Sequence, residues 1–334
     1  MLLDQAQARL PGLDAQLAAA RQDLALRVVQ AYLSALLAQD TLASTRSQRE
    51  TLEAQLHQAQ RTFDIGTGTL TDLSDAQARY DLIIATELQN AVNLTLAMQA
   101  LSVLPGVTPV SLEPVNVEAP LSALEGKDLQ SWVAAADRQS YPVLEAQATA
   151  QGQHLEIDHA RTAWKPTVDL TLNLSQQHFS QSDLNLTDTG GRTAEIGVQL
   201  TVPIWEAGLR DSKLRQAVAQ AEQADQELQV SRRAANLAIR QAFTTLGSSA
   251  AQVTALKQAV HSSQVSVDAS TRGKEIGSRT LVDVLNARQQ LFQANNLLVG
   301  ARYGSVLALF QLKAAAGTLD EADLQALSGD VAGR

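Results

Sequence analysis

Hydrophobic residues recur at intervals of three and four along most of the chain, which is the spacing of a helix that buries one face. Leu26, Val29 and Leu33 belong to one such stripe, and the opposite face is rich in Gln, Arg and Ser. The pattern predicts helices over residues 14–62 (one helix or two nearly continuous ones), 70–104, 127–160 (broken near Tyr141), 208–272 and 280–316. We expect the first two and the last two of these to form long antiparallel hairpins.

The connector between the first hairpin and the third helix has a different composition. Residues 105–126 contain four prolines, which disfavour a helix. Apolar residues such as Leu112 and Val115 remain spaced through the segment. We therefore predict an extended connector that packs on the helices, rather than a disordered linker.

Within residues 166–204 the pattern becomes a strict alternation of apolar and polar residues, which predicts strands with one face of each kind. The alternating apolar residues are Val168, Leu170, Leu172, Leu174, Ile196, Val198, Leu200 and Val202. Each run of about nine residues approaches the length that a tilted strand needs to cross a bilayer. Trp164 and Trp205 flank the two runs at the same end, as is typical of a membrane–water interface. We predict a β-hairpin whose apolar face contacts lipid; a soluble hairpin packed on helices is the alternative.

A stretch at the tip of each helical hairpin occurs twice in the chain. An offset of 211 residues aligns Gly66 with Gly277, and it pairs Thr69 with Thr280 and Asp72 with Asp283. Glycine allows the chain to leave a helix, and a threonine three residues before an acidic residue starts the next one. The sequence thus predicts an internal two-fold repeat in which each unit ends in a tight glycine-containing turn.

The repeat divides the chain into two parts. Residues 1–160 are predicted to be the first structural repeat, with a helical hairpin and the connector, and 161–334 the second, with the β-hairpin 166–204 followed by the helical hairpin 208–317. Met1 aligns with position 212, just after the strand pair. We therefore expect that a first β-hairpin, and a signal peptide, would lie upstream of this chain.

Composition narrows the classes of function. A net charge of −9 with scattered basic residues argues against a nucleic-acid partner, which requires a basic surface. The chain has no cysteine, and among its five histidines only His154 and His159 lie near each other, at a spacing that does not suit a metal. No Ser/His/Asp set or phosphate-binding loop stands out. We predict a protein that is not an enzyme and that uses no cofactor or metal.

The residues of the second tip and of the strand ends resemble a known family. Residues 277–286 (Gly-Ser-Arg-Thr-Leu-Val-Asp-Val-Leu-Asn), Pro166-Thr-Val-Asp-Leu170 and Val202-Pro-Ile-Trp-Glu-Ala-Gly208 are similar to segments of the TolC-type outer-membrane efflux proteins. The resemblance implies a homotrimer with a transmembrane β-barrel and a long periplasmic α-barrel. It also implies an exit duct for small-molecule efflux or type I protein secretion, joined through a periplasmic adaptor to an inner-membrane transporter.

The same resemblance implies roles for individual residues. Asp283 matches an aspartate of the periplasmic constriction, and Asn286 stands where some relatives have a second acidic residue. Arg279 matches a basic residue that links helix pairs at the gate, and Asp72 matches its acidic partner. The tips that meet the adaptor correspond to Gly66, Thr67, Gly68, Gly277 and Ser278.

Simpler interpretations of these residues stay open. Asp72 and Asp283 could act only as helix caps, and Arg279 could be a solvated surface residue. For the whole chain, the alternative function is a soluble or periplasmic coiled-coil adaptor or scaffold that binds partners through its hairpins.

Overall fold

The computed structural model describes residues 2–104, 111–117, 128–179, 189–202 and 204–329. Within these ranges the chain is mostly helical, with one two-stranded sheet. The elements in order are α1 (Leu2–Asp64), α2 (Leu70–Val103), α3 (Leu129–Gln139), α4 (Tyr141–Thr162), β1 (Thr167–Phe179), β2 (Thr189–Thr201), α5 (Leu209–Glu275), α6 (Leu281–Ala316) and α7 (Glu321–Gly329).

The predicted helices are present, and most of their ends lie within three residues of the predicted positions. The exception is α1, which begins at Leu2 instead of residue 14 and continues through Pro11. A proline inside a helix removes one backbone hydrogen bond, and α1 nevertheless runs through Pro11 without a break. Next to this proline α1 packs closely on α4, because a Cβ on Gly12 would lie only 3.2 Å from Cβ of Ala148. The predicted break near Tyr141 is confirmed as the gap between α3 and α4 at Ser140.

Two compact units share these elements. Unit 1 consists of Met1–Asp14 and Glu145–Val230, and unit 2 of Ala15–Leu144 and Ser231–Arg334. In the part of the chain that the structure describes, none of the helices carries an apolar stretch long enough to cross a membrane.

The sheet of unit 1 is an antiparallel hairpin whose register separates apolar from polar residues. Opposite one another on one face are Val168 and Leu200, Leu170 and Val198, Leu172 and Ile196, and Leu174 and Ala194. The intervening pairs, from Thr167 with Thr201 to Ser175 with Thr193, occupy the other face. The alternation in both strands is therefore in phase, so a shift of one residue in the pairing would mix the two faces.

The main core of unit 2 joins the two helical hairpins at the end away from their tips. It contains Val29, Leu33 and Leu36 of α1 together with Val306 and Phe310 of α6. The described part of the connector, residues 111–117, adds Leu112 and Val115 to this core. The prediction that the connector packs on the helices is confirmed for these residues; the rest of segment 105–126 lies outside the described residues.

Smaller clusters extend along α6. Trp132 of α3 packs with Ile239 and Leu246 of α5 and with Leu309 and Leu312 of α6. Near the tips the apolar contact shrinks to Leu52, Ile83 and Leu285. The tip end of unit 2 is thus held by fewer apolar contacts than its opposite end, and polar contacts take a larger share there.

Candidate functional site: the helical tips

The two hairpin tips have matching backbone hydrogen bonds. In the first, the carbonyl of Thr62 accepts from the amides of Thr67 at 2.9 Å and Gly68 at 2.8 Å. In the second, the carbonyl of Gly273 accepts from the amides of Ser278 at 2.8 Å and Arg279 at 3.1 Å. The two donors and the acceptor of one tip correspond to those of the other at the offset of 211 residues that the sequence shows.

The turns depend on glycine at one equivalent position. Gly66 has a φ of 77° and Gly277 a φ of 75°, and both lie in the left-handed region, where a side chain is strained. Thr67, Gly277 and Ser278 are exposed, and Gly68 is half-buried. The residues predicted to meet an adaptor therefore lie in the turns of the two tips, and most are open to solvent.

The acidic residue after each turn caps the returning helix. Oδ2 of Asp283 accepts 2.9 Å hydrogen bonds from the backbone amide and from the hydroxyl of Thr280, whose hydroxyl in turn accepts from the Asp283 amide at 3.2 Å. The bond from the Thr280 amide is the main reason that the pKa of the Asp283 carboxyl is lowered, and the Thr280 hydroxyl and the nearby Arg279 add to it. Asp283 therefore caps α6, and this leaves the ionised carboxylate half-exposed at the tip.

The first tip repeats this cap in part. The Thr69 hydroxyl donates to Oδ2 of Asp72 at 2.8 Å and accepts from the Asp72 amide at 3.1 Å. The N-terminal cap of α2 is thus held by the same residue types as that of α6, which explains why both helices restart one residue after the threonine.

The predicted gate residues are not all brought together within one chain. The aliphatic part of Arg279 lies over Gly273, where a Cβ would be 2.6 Å from Cγ of Arg279, and Arg279 is exposed. The described structure contains no ion pair between Arg279 and Asp72. Asn286 instead contacts α2, where its Oδ1 accepts a 2.7 Å hydrogen bond from Nη2 of Arg79.

Several residues near the tips were missed by the sequence analysis. Besides Arg79, they include Arg288, whose Nε and Nη1 donate to the amide oxygen of Gln55 at 3.2 and 2.8 Å when that amide is oriented towards them. Nε2 of Gln48 donates to Oε1 of Gln289 at 2.8 Å. All three contacts join residues more than two hundred positions apart, so no local pattern could have revealed them.

Two cavities flank these polar contacts in unit 2. One of about 900 Å³ lies between α1, α5 and α6, and its lining includes Asp268, Arg272, Glu275 and Arg288. A second of about 440 Å³ lies between α1, α2 and α6. Its charged lining residues are Asp75, Arg79 and Arg288. The tip ends of the hairpins are thus loosely packed and charged, unlike the apolar core at their other ends.

The residues predicted to face lipid are exposed on one side of the hairpin in unit 1. Their exposed fractions lie between 52% for Val202 and 74% for Leu170 and Ile196. At the base of the hairpin, the guanidinium of Arg210 lies 5.5 Å from the centre of the Trp164 ring and is bonded to both carboxylate oxygens of Glu206. These bonds are the main reason that the pKa of Glu206 is lowered.

Metal-binding chemistry has no support in the described residues, where no group of three or more His, Cys, Asp or Glu could hold an ion. His154 lies 3.1 Å from a carboxylate oxygen of Asp225, and His159 lies 3.5 Å from one of Glu156. These histidines therefore face separate partners.

Comparison with known proteins gives a consistent result. Residues 1–107 and 132–318 match the model of a family described as outer membrane efflux protein. Outer membrane protein TolC of Vibrio cholerae is 31% identical over 325 residues, which cover 96% of this chain and 74% of that protein. TolC of Escherichia coli is 30% identical over 316 residues, which cover 92% of this chain and 64% of that protein. Proteases secretion protein PrtF of Dickeya chrysanthemi is 28% identical over 311 residues, which cover 92% of this chain and 67% of that protein.

A solved structure shares the fold. The crystal structure of a membrane protein from Pseudomonas aeruginosa superposes with a TM-score of 0.76 at 22% identity, over 94% of this chain and 72% of that one. The chain spans about two thirds to three quarters of the length of the relatives that it matches.

Proposed function

Because the chain belongs to the outer membrane efflux protein family, we propose that the complete protein is a trimeric exit duct for small molecules or for proteins secreted by a type I system. Family membership places the protein in the outer membrane. The chain covers only part of its relatives, so the transport activity, the cargo and the partners are inferences for the complete protein.

The observation that carries the proposal is the apolar face of the β-hairpin. Seven large aliphatic side chains and Ala194 form four cross-strand pairs on one face, with polar pairs on the other. An exposed apolar face of this size is costly in water but favourable against lipid. Strands from several protomers would close into a transmembrane β-barrel with the polar faces towards a water-filled lumen.

The helical part supplies the periplasmic extension of the duct. The hairpins α1–α2 and α5–α6 would be two copies of one structural repeat, 1–160 and 161–334, and the matching hydrogen bonds of their tips support this division. Three protomers would surround a lumen lined by the polar helix faces. Gly66, Thr67, Gly68, Gly277 and Ser278 would meet a periplasmic adaptor, which connects the duct to an inner-membrane transporter.

The tips would also form the closed gate. Asp283 would line the constriction with Asn286 one turn further along α6, while Arg279 and Asp72 would link neighbouring helix pairs when the trimer assembles. Three copies of the ionised Asp283 carboxylate around an axis would attract cations to the entrance. The lowered pKa of Asp283 supports this proposal, because it keeps the carboxylate charged.

Purification of the complete protein tests the proposal directly. We expect a detergent-requiring trimer that conducts ions when it is inserted into planar lipid bilayers. A water-soluble monomer without conductance would contradict the proposal and favour the coiled-coil adaptor or scaffold instead. Two substitutions form a matched pair for the membrane part. Leu172→Lys should lower the yield of inserted protein, whereas Asn173→Lys on the polar face should leave it unchanged.

A further inference from the structure

A single arginine connects the two helical hairpins near their tips. Nη2 of Arg79 on α2 donates a 2.7 Å hydrogen bond to Oδ1 of Asn286 on α6, across 207 positions of sequence. Asn286 lies three residues after Asp283, so both occupy the same face of α6. In the proposed constriction, which Asp283 lines, the guanidinium of Arg79 would therefore lie about one turn of α6 further from the tip than Asp283.

The charge of Arg79 is not neutralised by this contact. Asn286 is an amide, so it accepts the hydrogen bond without supplying a negative charge. The 440 Å³ cavity beside Arg79 is lined by two arginines, Arg79 and Arg288, and one carboxylate, Asp75. With the amide of Gln55 oriented towards it, Arg288 donates to a neutral group as well. The charged side chains that line the cavity therefore carry a net positive charge, and Asn286, which accepts from Arg79, lies about one helical turn after the negative Asp283.

The Arg79–Asn286 hydrogen bond lies where the helices share few apolar contacts. The apolar cluster at this level consists of Leu52, Ile83 and Leu285, with Tyr80 and Leu281 against it. The larger clusters that bind α6 to the rest of unit 2 lie towards its other end. A hydrogen bond from a charged group is among the stronger polar contacts, so it forms a considerable share of what holds the tip of α6 to α2.

We propose that Arg79 is a gate and selectivity residue. Through its hydrogen bond to Asn286 it holds α6 against α2. Its charge also forms, in the trimer, a ring of positive charge next to the ring of negative charge from Asp283. The proposal rests on the duct function above. Opening the gate breaks the Arg79–Asn286 hydrogen bond, because the tip of α6 must separate from α2. In the closed state, the three guanidinium groups oppose the entry of cations that the Asp283 carboxylates attract.

Four forms of the complete protein in planar bilayers test this: wild type, Arg79→Ala, Asn286→Asp and the double variant. Arg79→Ala should raise the closed-state conductance by about tenfold and increase the preference for cations, since a charged hydrogen bond and a ring of positive charge are lost. Asn286→Asp should lower the closed-state conductance, because its carboxylate forms an ion pair with Arg79. In the Arg79→Ala background the same substitution should instead increase conductance and cation preference.

This reversal of sign separates a specific contact from a general loss of stability. Arg46→Ala is the matched control, because Arg46 pairs with Glu87 inside the first hairpin and does not reach α6; its conductance should equal that of wild type. Equal conductance and reversal potential for wild type and Arg79→Ala would refute the proposal, as would additive effects of the two substitutions. A wild-type trimer without conductance would refute the duct function itself.

A covalent link gives an independent measurement. This chain has no cysteine, so Arg79→Cys with Asn286→Cys introduces a defined pair of thiols. A short bismaleimide should join α2 to α6 within one protomer and reduce the conductance of an open-gate variant to the wild-type closed value. Efficient cross-linking with unchanged conductance would show that α2 and α6 stay together when the gate opens, and would overturn the proposal.

Discussion

The hydroxyl of Tyr303 on α6 donates a 2.6 Å hydrogen bond to Oδ2 of Asp40 on α1, between residues 263 positions apart. Tyr303 is 9% exposed and belongs to the apolar core that joins the two helical hairpins. Burial raises the pKa of the Tyr303 hydroxyl, and the hydrogen bond to Asp40 raises it further. One polar contact thus fixes the register of α1 against α6 where the surrounding contacts are apolar.

Removing this hydroxyl tests its contribution to stability. We expect Tyr303→Phe to reduce the free energy of unfolding by about 1–2 kcal/mol, because a hydrogen bond to a carboxylate is lost. Tyr80→Phe is the control, since Tyr80 packs beside the cluster of Leu52 and Ile83 with no hydrogen bond from its hydroxyl in the described structure. Because the Tyr303 pKa is raised on folding, the difference between Tyr303→Phe and wild type should be full below the unfolded pKa and fall at higher pH. Equal denaturation midpoints for the two variants would contradict this role.

We expect that any substitution of Gly277, the glycine of the second tip, lowers the stability of the turn. Gly277→Ala should destabilise the tip by about 1 kcal/mol, because alanine is strained at a φ of 75°. The matched control is Gly247→Ala in the middle of α5, where a Cβ would meet nothing within 4 Å and where the substitution should stabilise the helix. Hydrogen exchange of the amides of Ser278 and Arg279 reports the local effect, and unchanged exchange in Gly277→Ala would argue against strain.

The cap at Thr280 predicts a pH dependence of local stability. Folding lowers the pKa of Asp283, so its contribution is present above the unfolded pKa and is lost as pH falls through the folded value. Thr280→Ala should destabilise the start of α6 by about 1 kcal/mol at neutral pH. It should also shift the pKa of Asp283 upwards, which NMR titration can measure. A titration of Asp283 that is the same in both proteins would contradict the capping geometry.

The proposed lipid face can be probed by one substitution on each side of a strand. Leu172→Lys would place a charge in the middle of the apolar face and should cost about 2–4 kcal/mol in a membrane. Asn173→Lys on the opposite face should be nearly neutral, because its partner Glu195 lies on the polar face. Resistance of the folded trimer to heating in detergent micelles is the measurement. Equal losses for both variants would argue against lipid on the Leu172 side.

Substitution of Arg279 tests the proposed gate of the proposed trimer. Its aliphatic part rests on Gly273 and leaves the guanidinium exposed, so its partner would come from another helix pair on assembly. Arg279→Ser should raise the leak conductance in planar bilayers. Arg61→Ser, which removes an exposed cation near the first tip, should leave the leak unchanged. An unchanged closed-state conductance in Arg279→Ser would refute its assignment to the gate.

The sequence predicted those features whose cause is local. The periods of three to four and of two fixed which segments are helices and strands, because each period leaves one continuous face apolar. Gly277, Thr280 and Asp283 marked the second tip, since a left-handed residue and a cap act over only a few positions. α7 followed no clear pattern; its position depends in part on the ion pair of Lys313 with Asp323.

Contacts between distant segments were decided by the tertiary structure. The sequence analysis singled out Asp283 and Asn286, but it did not show that Arg79 bonds to Asn286 or that Asp40 bonds to Tyr303. Such pairs depend on how two long helices are rotated and shifted against each other, and packing over their whole length sets that arrangement. The amino-acid pattern alone therefore determined the helices, the strands and the tips, whereas the fold decided which charges meet across them.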